Sequence, residues 1–372
     1  MKGLQKFRPL AIILLLLPLD LIVAIAFVIA VAAGRVLQLL PWARGFSPVP
    51  GSNRESSCAT IQILNWDGKH LLEECLPHVL EAIRHNGGNH EVLVVDNGST
   101  DGSVEFVRKN YPGVRVLALD RNFGFGEGNN RGVQDVRTEV VIFLNNDMIV
   151  DRGFLKPLLD GFSDPSVFAV TSQVFFADPT RRREETGKTR GSFERGFLRL
   201  WHAEIAPDEE DGRQVPVFWA GGGSCAVDRE MFLDIGGFDS LFSPAYVEDT
   251  DLSYQAWKRG WKCVLAPASR VIHKHRATTG RKFGNWFVDN TIRKNQYLFI
   301  WKNITDYSMT LEHLINLPRN HARGFIQLGF RFEVRAFLRA FVQLPLALYR
   351  RLACLRRYRA GDREVFMRSQ KA

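Results

Sequence analysis

Cysteine is scarce in this sequence, and the few cysteines present are not arranged as metal or disulfide frameworks require. The five residues are scattered along the chain and form no C-x-x-C motif. A disulfide scaffold and a zinc knuckle are therefore disfavoured, and the pattern is typical of a reducing compartment. Internal repeats and low-complexity tracts are also missing, and contents of 45% hydrophobic and 24% charged residues are those of an ordinary globular protein.

Acidic residues are rare in the last part of the chain. From residue 319 onward, twelve Arg and one Lys stand against three acidic residues, so this part carries a charge of +10 and the rest of the chain is close to neutral. A basic tail indicates an acidic partner surface, either a membrane or a nucleic acid. Its Arg residues are interleaved with aliphatic side chains and do not form a recognition module. We therefore predict that residues 304–372 are a basic amphipathic helical region on a membrane surface, with no nucleic-acid partner.

One long apolar run stands near the amino terminus, at residues 10–33, and is interrupted by Pro18 and Asp20. It is long enough to cross a bilayer, and no clear small-residue cleavage site follows it. We predict that residues 1–40 are a retained membrane-embedded segment and that 41–57 are a linker. Basic residues flank the run on both sides, so the positive-inside rule does not orient it. One hypothesis is a helix that bends at Pro18 and returns to the same face.

Strand-like and helix-like patterns alternate through the middle of the chain. Apolar runs at 59–66, 91–96, 114–120 and 140–147 indicate buried strands, and helical patterns separate them. This alternation predicts βαβ units, and hence an α/β fold with a mostly parallel central sheet and flanking helices. The charge-dense stretch 178–214 predicts a mobile surface loop.

The second strand ends on a carboxylate. The segment EVLVVDNGSTDG (91–102) is an apolar strand that stops at Asp96 and opens into a Gly/Ser/Thr turn. A carboxylate at the carboxyl end of a parallel strand can accept hydrogen bonds from a base or a ribose, so Asp96 is a candidate nucleotide ligand. The alternative is that Asp96 only caps the turn at Gly98 and Ser99.

The fourth strand, VVIFLNND (140–147), ends on Asn145, Asn146 and Asp147. Mg²⁺ and Mn²⁺ prefer oxygen ligands and can take several from a diphosphate, so one carboxylate and one His are sufficient protein ligands. Asp147 and His273, which lies near the end of the strand VIHKH, are therefore candidate metal ligands. The alternatives are a strand-ending Asp in an Asn-rich turn and a structural His.

The segment YVEDTD (246–251) leads into a helical pattern. A carboxylate beside an acceptor hydroxyl can remove its proton, and we assign this role of general base to Asp249. Glu248 is taken as its catalytic neighbour and Asp251 as a contact to the acceptor. The alternative is that these acidic residues cap the helix and interact favourably with its dipole.

A Gly- and Asn-rich segment, NFGFGEGNNRG (122–132), comes at the start of another predicted helix. Backbone N–H groups at such a position can approach a phosphate or a sugar, and Asn130 is a candidate nucleotide contact. The segment matches neither a P-loop nor the G-x-G-x-x-G fingerprint in its usual context, so by itself it is weak support.

In this order, the segments resemble the family-2 inverting glycosyltransferases, in particular their bacterial rhamnosyltransferase-like branch. The similarity is colinear from about Ala59 to Asn303, and it includes AGGGSCAVDREMFLDIGGFD, EDTDLSYQAWKRGW and RKNQYLFIWKN as well as the segments above. No single motif decides the resemblance, but the ordered set is specific.

The resemblance implies a type-A nucleotide-sugar fold and a UDP- or dTDP-sugar donor. By position, it places Asn65 and Asp96 at the nucleotide, Asp147 at a divalent metal, His273 at the metal or diphosphate, and Asp249 in the role of base. Two departures stand out. The metal triplet has one carboxylate where the family has two, and no Q-x-x-R-W-like motif follows the base, which disfavours a processive polymer synthase.

We therefore expect residues 58–303 to be the catalytic domain, at the inner membrane and facing the cytoplasm. The expected reaction is Mg²⁺- or Mn²⁺-assisted, inverting transfer of one sugar, such as rhamnosyl, to a hydroxyl of a lipid-linked or cell-surface glycan. One alternative is a sugar nucleotidyltransferase, which usually needs a basic Gly-rich loop where this chain has NWDGKH. Another is a noncatalytic membrane-bound sugar-binding protein, which would lose the base.

Overall fold

The computed structural model describes residues 2–39, 58–177, 186–209, 212–274 and 284–370. Its helices, in chain order, are α1 (Lys2–Leu39), α2 (Lys69–Asn86), α3 (Ser103–Asn110), α4 (Phe125–Gln134), α5 (Leu155–Asp160), α6 (Arg229–Ile235), α7 (Glu248–Lys258), α8 (Asn285–Asn303), α9 (Tyr307–Leu328), α10 (Phe330–Val342), α11 (Leu344–Leu355) and α12 (Asp362–Arg368). Its strands are β1 (Ala59–Asn65), β2 (Glu91–Asp96), β3 (Arg115–Ala118), β4 (Val140–Asn145), β5 (Met148–Val150), β6 (Val167–Phe176), β7 (Thr189–Glu194), β8 (Phe197–His202), β9 (Val215–Pro216), β10 (Ser224–Asp228) and β11 (Lys262–His273).

The first four strands form the parallel half of the central sheet, in the order β3-β2-β1-β4. The Val-, Ile- and Leu-rich runs of β1, β2 and β4 are buried, as expected for parallel strands covered by helices on both faces, while the edge strand β3 is partly exposed. Because these strands run in one direction, their carboxyl ends meet at one edge of the sheet. The register pairs Asn65 with Asp96 and Leu64 with Asn145, which brings the predicted polar strand ends together.

Beyond β4, the strand directions are mixed. Strand β10 is antiparallel to both β4 and β6, while β11 is parallel to β6 and antiparallel to β5 and β9. The α/β fold with flanking helices is confirmed, and its parallel character is concentrated in the first half of the sheet. Strand β11 returns to the polar edge, where its register pairs His273 with Met148.

The predicted surface loop at 178–214 is wrong for most of its described residues. Strands β7 and β8 form an antiparallel hairpin there, and its turn lies against α9. The Glu312 carboxylate accepts a hydrogen bond from the Gly196 N–H, and the Phe197 ring packs edge-on against Tyr297 at 5.1 Å. Tertiary contacts to α8 and α9 therefore order a segment whose charge suggested a loop. Residues 178–185 and 210–211 lie outside the described residues.

Helices α9 to α12 confirm the expected helical character of residues 304–372, and the last of them packs directly on the sheet domain. The buried carboxylate of Asp362 in α12 accepts hydrogen bonds from Tyr254 Oη at 2.6 Å and from Lys258 Nζ at 2.8 Å, both in α7. Buried hydrogen bonds therefore join α12 directly to α7.

Helix α1 is continuous from Lys2 to Leu39, and Pro18 lies within it. The hypothesis of a helix that bends at Pro18 and returns is therefore wrong. Helix α1 packs on α9, α10 and α11, and its segment Leu10–Leu37 is long and apolar enough to cross a membrane. The predicted linker at 41–57 lies outside the described residues.

Candidate functional site

The edge formed by the carboxyl ends of β1, β2 and β4 is linked by a chain of amide and carboxylate contacts. Asn65 Nδ2 donates to Asp96 Oδ2 at 3.1 Å, and Asn65 Oδ1 accepts from Asn146 Nδ2 at 2.8 Å. A Cβ atom added at Gly68 would lie 2.3 Å from Asn146 Nδ2 and 2.7 Å from Asn65 Oδ1, so a larger residue there would displace these two amide groups. The predicted nucleotide residues Asn65 and Asp96 are therefore neighbours of the Asn-rich turn.

Asp96 also serves the turn that follows it. Its Oδ1 accepts a hydrogen bond from the Ser99 N–H at 2.9 Å, and the side chain is buried. The turn-capping alternative is thus present in the geometry. It does not exclude ligand binding, because each carboxylate oxygen has a second lone pair.

Asp147 and His273 lie side by side, as the sequence predicted. His273 Nε2 is 3.3 Å from Asp147 Oδ2, and the side chains are each 12% exposed. The other oxygen, Asp147 Oδ1, is buried and has no hydrogen-bond partner among the described residues. Strand β11 fixes the pair, because the Lys274 N–H donates to the Asp147 carbonyl oxygen at 3.1 Å.

These two residues fit a divalent cation whose remaining ligands come from a diphosphate. A buried carboxylate oxygen without a partner is costly unless a cation or donor satisfies it, and a neutral imidazole is a suitable additional ligand. Among the described residues, no group of three or more His, Cys, Asp and Glu side chains is arranged to hold a metal. A cation bound here would therefore need further ligands, which substrate oxygens could supply.

Asp249 approaches the same edge from the start of α7. Its Oδ2 accepts a hydrogen bond from the Gly222 N–H at 3.3 Å, and the adjoining Gly223 carbonyl accepts one from the Asn145 N–H at 2.9 Å. Side chains added at Gly222 and Gly223 would press against Phe125 and Asn145, respectively. The small residues of this turn therefore let Asp249 lie close to the end of β4.

Burial changes the proton affinity of the acidic pair in α7. It raises the pKa of Asp249, and hydrogen bonds from Gly222 and Thr250 only partly offset this effect. Burial and the charge of Asp249 raise the pKa of Glu248 well above its usual value. The Glu248 Oε2 atom is buried without a hydrogen-bond partner among the described residues, beside a narrow pocket that Phe123 and Pro244 also line. A carboxylate with a raised pKa is a stronger base, which suits Asp249 to proton removal.

The loop before Asp249 is held in an unfavourable backbone conformation. Tyr246 and Val247 have φ angles of +73° and +74°, in the left-handed region that β-branched residues avoid. Asn295 in α8 secures this loop, because its Nδ2 lies within hydrogen-bond distance of the carbonyl oxygens of Phe242, Ala245 and Tyr246 at 3.0, 3.1 and 2.7 Å. Strain of this kind persists only where surrounding contacts impose it, and it is common at functional sites.

Two predicted site residues are instead engaged in internal contacts. Asn130 Nδ2 donates to the Phe238 carbonyl at 2.8 Å, and its Oδ1 accepts from the Phe238 N–H at 2.9 Å. Asp251 is 1% exposed and accepts hydrogen bonds from Lys302 Nζ at 2.7 Å and Asn303 Nδ2 at 2.8 Å. Because these contacts occupy both side chains, we do not include either residue in the proposed binding site.

Two residues at this edge were not predicted. Asn97 bridges the end of β2 to the Gly-rich segment, because its Nδ2 donates to Asn122 Oδ1 at 3.0 Å and its Oδ1 accepts from the Phe123 N–H at 2.9 Å. Asn146 bridges to β1, as described above. Only their position in the sequence indicates them, because each asparagine is adjacent to a predicted carboxylate at the end of a strand.

The amino-acid sequence of residues 61–232 matches the family model described as glycosyl transferase family 2. An N-acetylglucosaminyl-diphospho-decaprenol L-rhamnosyltransferase of Mycobacterium tuberculosis (strain ATCC 25618 / H37Rv) is 28% identical over 231 residues, which cover 56% of this chain and 74% of that protein. N-acetylgalactosaminyltransferase 6 of Drosophila melanogaster is 27% identical over 198 residues, which cover 50% of this chain and 29% of that protein.

A solved structure shares the fold. The crystal structure of GalNAc-T7 with UDP, GalNAc and Mn²⁺ superposes with a TM-score of 0.55 at 16% identity, over 82% of this chain. The aligned part is 60% of that chain's length, and at this identity the similarity concerns the fold alone. The expected type-A architecture and the resemblance to family 2 are therefore confirmed, and the protein is a glycosyltransferase with a glycosyl transferase family 2 domain.

Proposed function

We propose that this glycosyltransferase moves a single sugar from a UDP- or dTDP-sugar, such as a rhamnosyl donor, to an acceptor hydroxyl with inversion at the anomeric carbon. The observation that carries the proposal is the approach of three separate acidic points to one sheet edge. Asp96 is linked to the Asn-rich turn after β4 by hydrogen bonds through Asn65 and Asn146, and Asp147 lies on that turn. Asp249 accepts a hydrogen bond from Gly222, which lies at the same edge.

In the proposed donor complex, Asn65 and Asp96 contact the nucleotide. Each remaining lone pair on Asp96 can accept a hydrogen bond from a base N–H or a ribose hydroxyl. The sugar then extends along the edge toward Asp249, and the diphosphate lies near Asp147 and His273. This order follows the arrangement of the strands β2, β1 and β4, with β11 paired to β5, the short strand that follows β4 in the chain.

The reaction is a single displacement. Asp249 takes the proton of the acceptor hydroxyl, and the hydroxyl oxygen forms a bond to the anomeric carbon from the face opposite the diphosphate. The bond between that carbon and the diphosphate oxygen breaks, and its electron pair leaves with the nucleoside diphosphate. Glu248, buried beside the base, is placed to orient Asp249 or the acceptor.

Asp147 and His273 are proposed to hold Mg²⁺ or Mn²⁺ together with the donor diphosphate. A divalent cation supplies positive charge that stabilises the departing diphosphate. The partnerless Asp147 Oδ1 atom and the adjacent imidazole support this assignment.

The proposed acceptor is a lipid-linked or cell-surface glycan. The similar mycobacterial protein carries a diphospho-decaprenol in its name, and the apolar helix α1 is long enough to cross a bilayer. We propose that the enzyme lies at the inner membrane with its catalytic domain facing the cytoplasm, where nucleotide sugars are made.

Donor binding and turnover test the proposal together. The purified full-length protein would be screened against UDP-, dTDP- and GDP-sugars by thermal shift and by release of nucleoside diphosphate, with Mn²⁺, with Mg²⁺ and with a chelator. We expect one donor class to raise the melting temperature and to be consumed when a polyprenyl-diphosphate sugar is added. Stabilisation by none of the donors, or formation of nucleotide sugar from sugar 1-phosphate and a nucleoside triphosphate, would overturn it.

A further inference from the structure

Helix α1 has two faces of different character. Residues spaced three or four apart form a buried seam against the carboxy-terminal helices: Ile12, Leu16, Asp20, Val23, Phe27 and Ala30. The residues between them are exposed, although most are equally apolar, as shown by Leu14 at 60% and Val28 at 68% exposed. A helix that served only as a tether would need no such division, because lipid makes no distinction between its faces.

A polar contact holds the middle of the seam. Asp20 Oδ1 is 3.0 Å from Nε2 of His321 in α9, and His321 Nδ1 is 3.2 Å from Oε1 of Glu333 in α10. Glu333 in turn accepts hydrogen bonds from Arg293 at 3.0 and 3.1 Å and from Tyr297 Oη at 2.5 Å. These five residues, which we call the latch, join α1 to α8, α9 and α10.

The charges of the latch are balanced. Both ring nitrogens of His321 lie within hydrogen-bond distance of carboxylate oxygens, an arrangement that favours the protonated ring, which donates from both nitrogens. With His321 protonated, two carboxylates and two cations sum to zero inside the protein. A buried carboxylate in an apolar helix is expensive unless it is paired in this way, and Asp20 is therefore matched to partners that only the folded carboxy-terminal helices provide.

Close packing continues along α1 toward its carboxyl end. A Cβ atom added at Gly34 would lie 2.9 Å from a Leu355 side-chain carbon in α11, so the two helices nearly touch there. The guanidinium of Arg351 in α11 lies 5.1 Å from the centre of the Phe27 ring. The seam thus spans at least the segment from Ile12 to Gly34.

The outer face of α1 needs an apolar partner of its own. The segment Leu10–Leu37 is about 40 Å long at the helical rise, which exceeds the hydrocarbon thickness of a bilayer. The helices that hold α1 expose large apolar side chains, for example Ile315 at 68% and Val342 at 79%. On the same helices, exposed Arg residues such as Arg323 and Arg331 match the anionic headgroups at a membrane surface.

We propose that α1 is a permanent part of the folded enzyme, fixed to α9–α11 by the seam and the latch, and that its outer face is immersed in the acyl chains of a lipid bilayer. This inference is independent of the proposed donor, acceptor and mechanism. It distinguishes an integrated membrane helix from a tether that merely keeps the enzyme near its substrate.

Matched substitutions on the two faces test the integration. Leu16→Ala and Val23→Ala remove seam contacts, while Leu14→Ala and Val28→Ala remove the same atoms from the outer face. In lipid nanodiscs at one scan rate, we expect the seam variants to lower the apparent melting temperature of the catalytic domain by about 5 °C or more. The outer variants should change it by about 1 °C or less. Equal effects within each pair would overturn the integration of α1.

Spin labels test the occupant of the outer face. With Cys58 and Cys354 changed to Ser, single cysteines replacing Ile25 or Val28 are labelled in the full-length protein in phosphatidylglycerol-containing nanodiscs. We expect high collision rates with oxygen and low rates with a water-soluble nickel complex. Free access of the nickel complex would overturn lipid immersion. Dipolar broadening in discs that hold two copies would do so as well, because it assigns this face to a second chain.

Discussion

Two Asp–His pairs in this molecule have different surroundings. Asp147 and His273 lie at the sheet edge, each 12% exposed, and Asp147 Oδ1 has no partner among the described residues. Asp20 and His321 lie in the helical region at 6% and 0% exposed, and Glu333 occupies the second nitrogen of His321. Asp20 Oδ2 is likewise without a hydrogen-bond partner among the described residues. One pair borders the proposed ligand site, and the other joins helices.

The largest effect is expected from substitution of Asp249, the proposed base near Asp147 and His273, which we call the edge pair. Asp249→Asn removes the proton acceptor without changing side-chain volume, so kcat should fall by about 10³-fold while donor binding changes little. Single-turnover assays and donor titration would separate these two quantities. The matched control is Asp251→Asn, which weakens the buried contact with Lys302. This control should lower the melting temperature and leave the donor affinity nearly unchanged. Normal turnover by Asp249→Asn would remove this residue from the mechanism.

Substitution within the edge pair should impair metal-dependent donor binding. Asp147→Asn and His273→Gln each remove a proposed ligand, so we expect donor affinity in Mn²⁺ to fall by about 10- to 100-fold. The melting temperature without ligand should change little, because the pair lies at the edge of the sheet and neither side chain is fully buried. Isothermal titration with and without Mn²⁺ measures this effect. Unchanged metal dependence in both variants would contradict the assignment of the edge pair.

Substitution in the buried pair of Asp20 and His321 should lower stability and leave donor affinity nearly unchanged. His321→Gln leaves Asp20 and Glu333 buried without their shared cation, which should lower the free energy of unfolding by about 3–5 kcal/mol. Donor affinity of the remaining folded protein should be close to that of the wild type. Thermal unfolding in nanodiscs and donor titration below the transition provide the comparison. Gly324→Ala is a second way to disturb the latch, because its Cβ would lie 2.2 Å from Glu333 Oε2.

The smallest effect is a pH dependence of the latch. Burial lowers the pKa of His321, but hydrogen bonds with Asp20 and Glu333 outweigh this and raise it above 6.5. Its contribution to stability is therefore full below pH 6.5 and is lost as the pH rises through the raised value. Burial acts to raise the pKa of Glu333, but hydrogen bonds from His321 and interactions with Arg293 lower it below 4.5. That contribution is lost as the pH falls through the lowered value.

The melting-temperature difference between wild type and His321→Gln measures this dependence. It should be largest between about pH 4.5 and 6.5 and should shrink at higher pH, once His321 loses its proton. Ile25→Ala is the matched control, since this exposed side chain of α1 lies outside the latch. A difference that does not vary between pH 5 and 9 would show that His321 does not titrate in the folded protein.

The sequence predicted the edge of the sheet because the rules that govern it are local. Alternating strands and helices imply parallel strands, and parallel strands bring their ends together, so Asp96 and Asp147 could be placed near one another. His273 was predicted beside Asp147 from its position after a later strand. In the structure, the pairing of β1 with β2 and β4 brings the ends that carry Asp96 and Asp147 to one edge, and the pairing of β11 with β5 places His273 beside Asp147.

Other features depended on distant partners that no local pattern reveals. Asp251 belongs to the same acidic motif as Asp249, yet it is paired with Lys302, about fifty residues away. Asp20 appeared to be a defect in an apolar helix until His321, three hundred residues later, was found beside it. The hairpin of β7 and β8 has the charge pattern of a surface loop, and its contacts with α8 and α9 leave no local signal in the sequence.

Helix α8 has a consequence for how this enzyme is purified. It contributes Arg293 and Tyr297 to the latch, and two residues past Arg293 it contributes Asn295 to the strained loop before Asp249. The same helix therefore supports the loop before Asp249 and contributes to the latch that fixes α1. A truncated preparation that begins after residue 57 would lack α1 and the Asp20 contact of the latch. We expect its rate constants to be lower than those of the full-length enzyme in a bilayer.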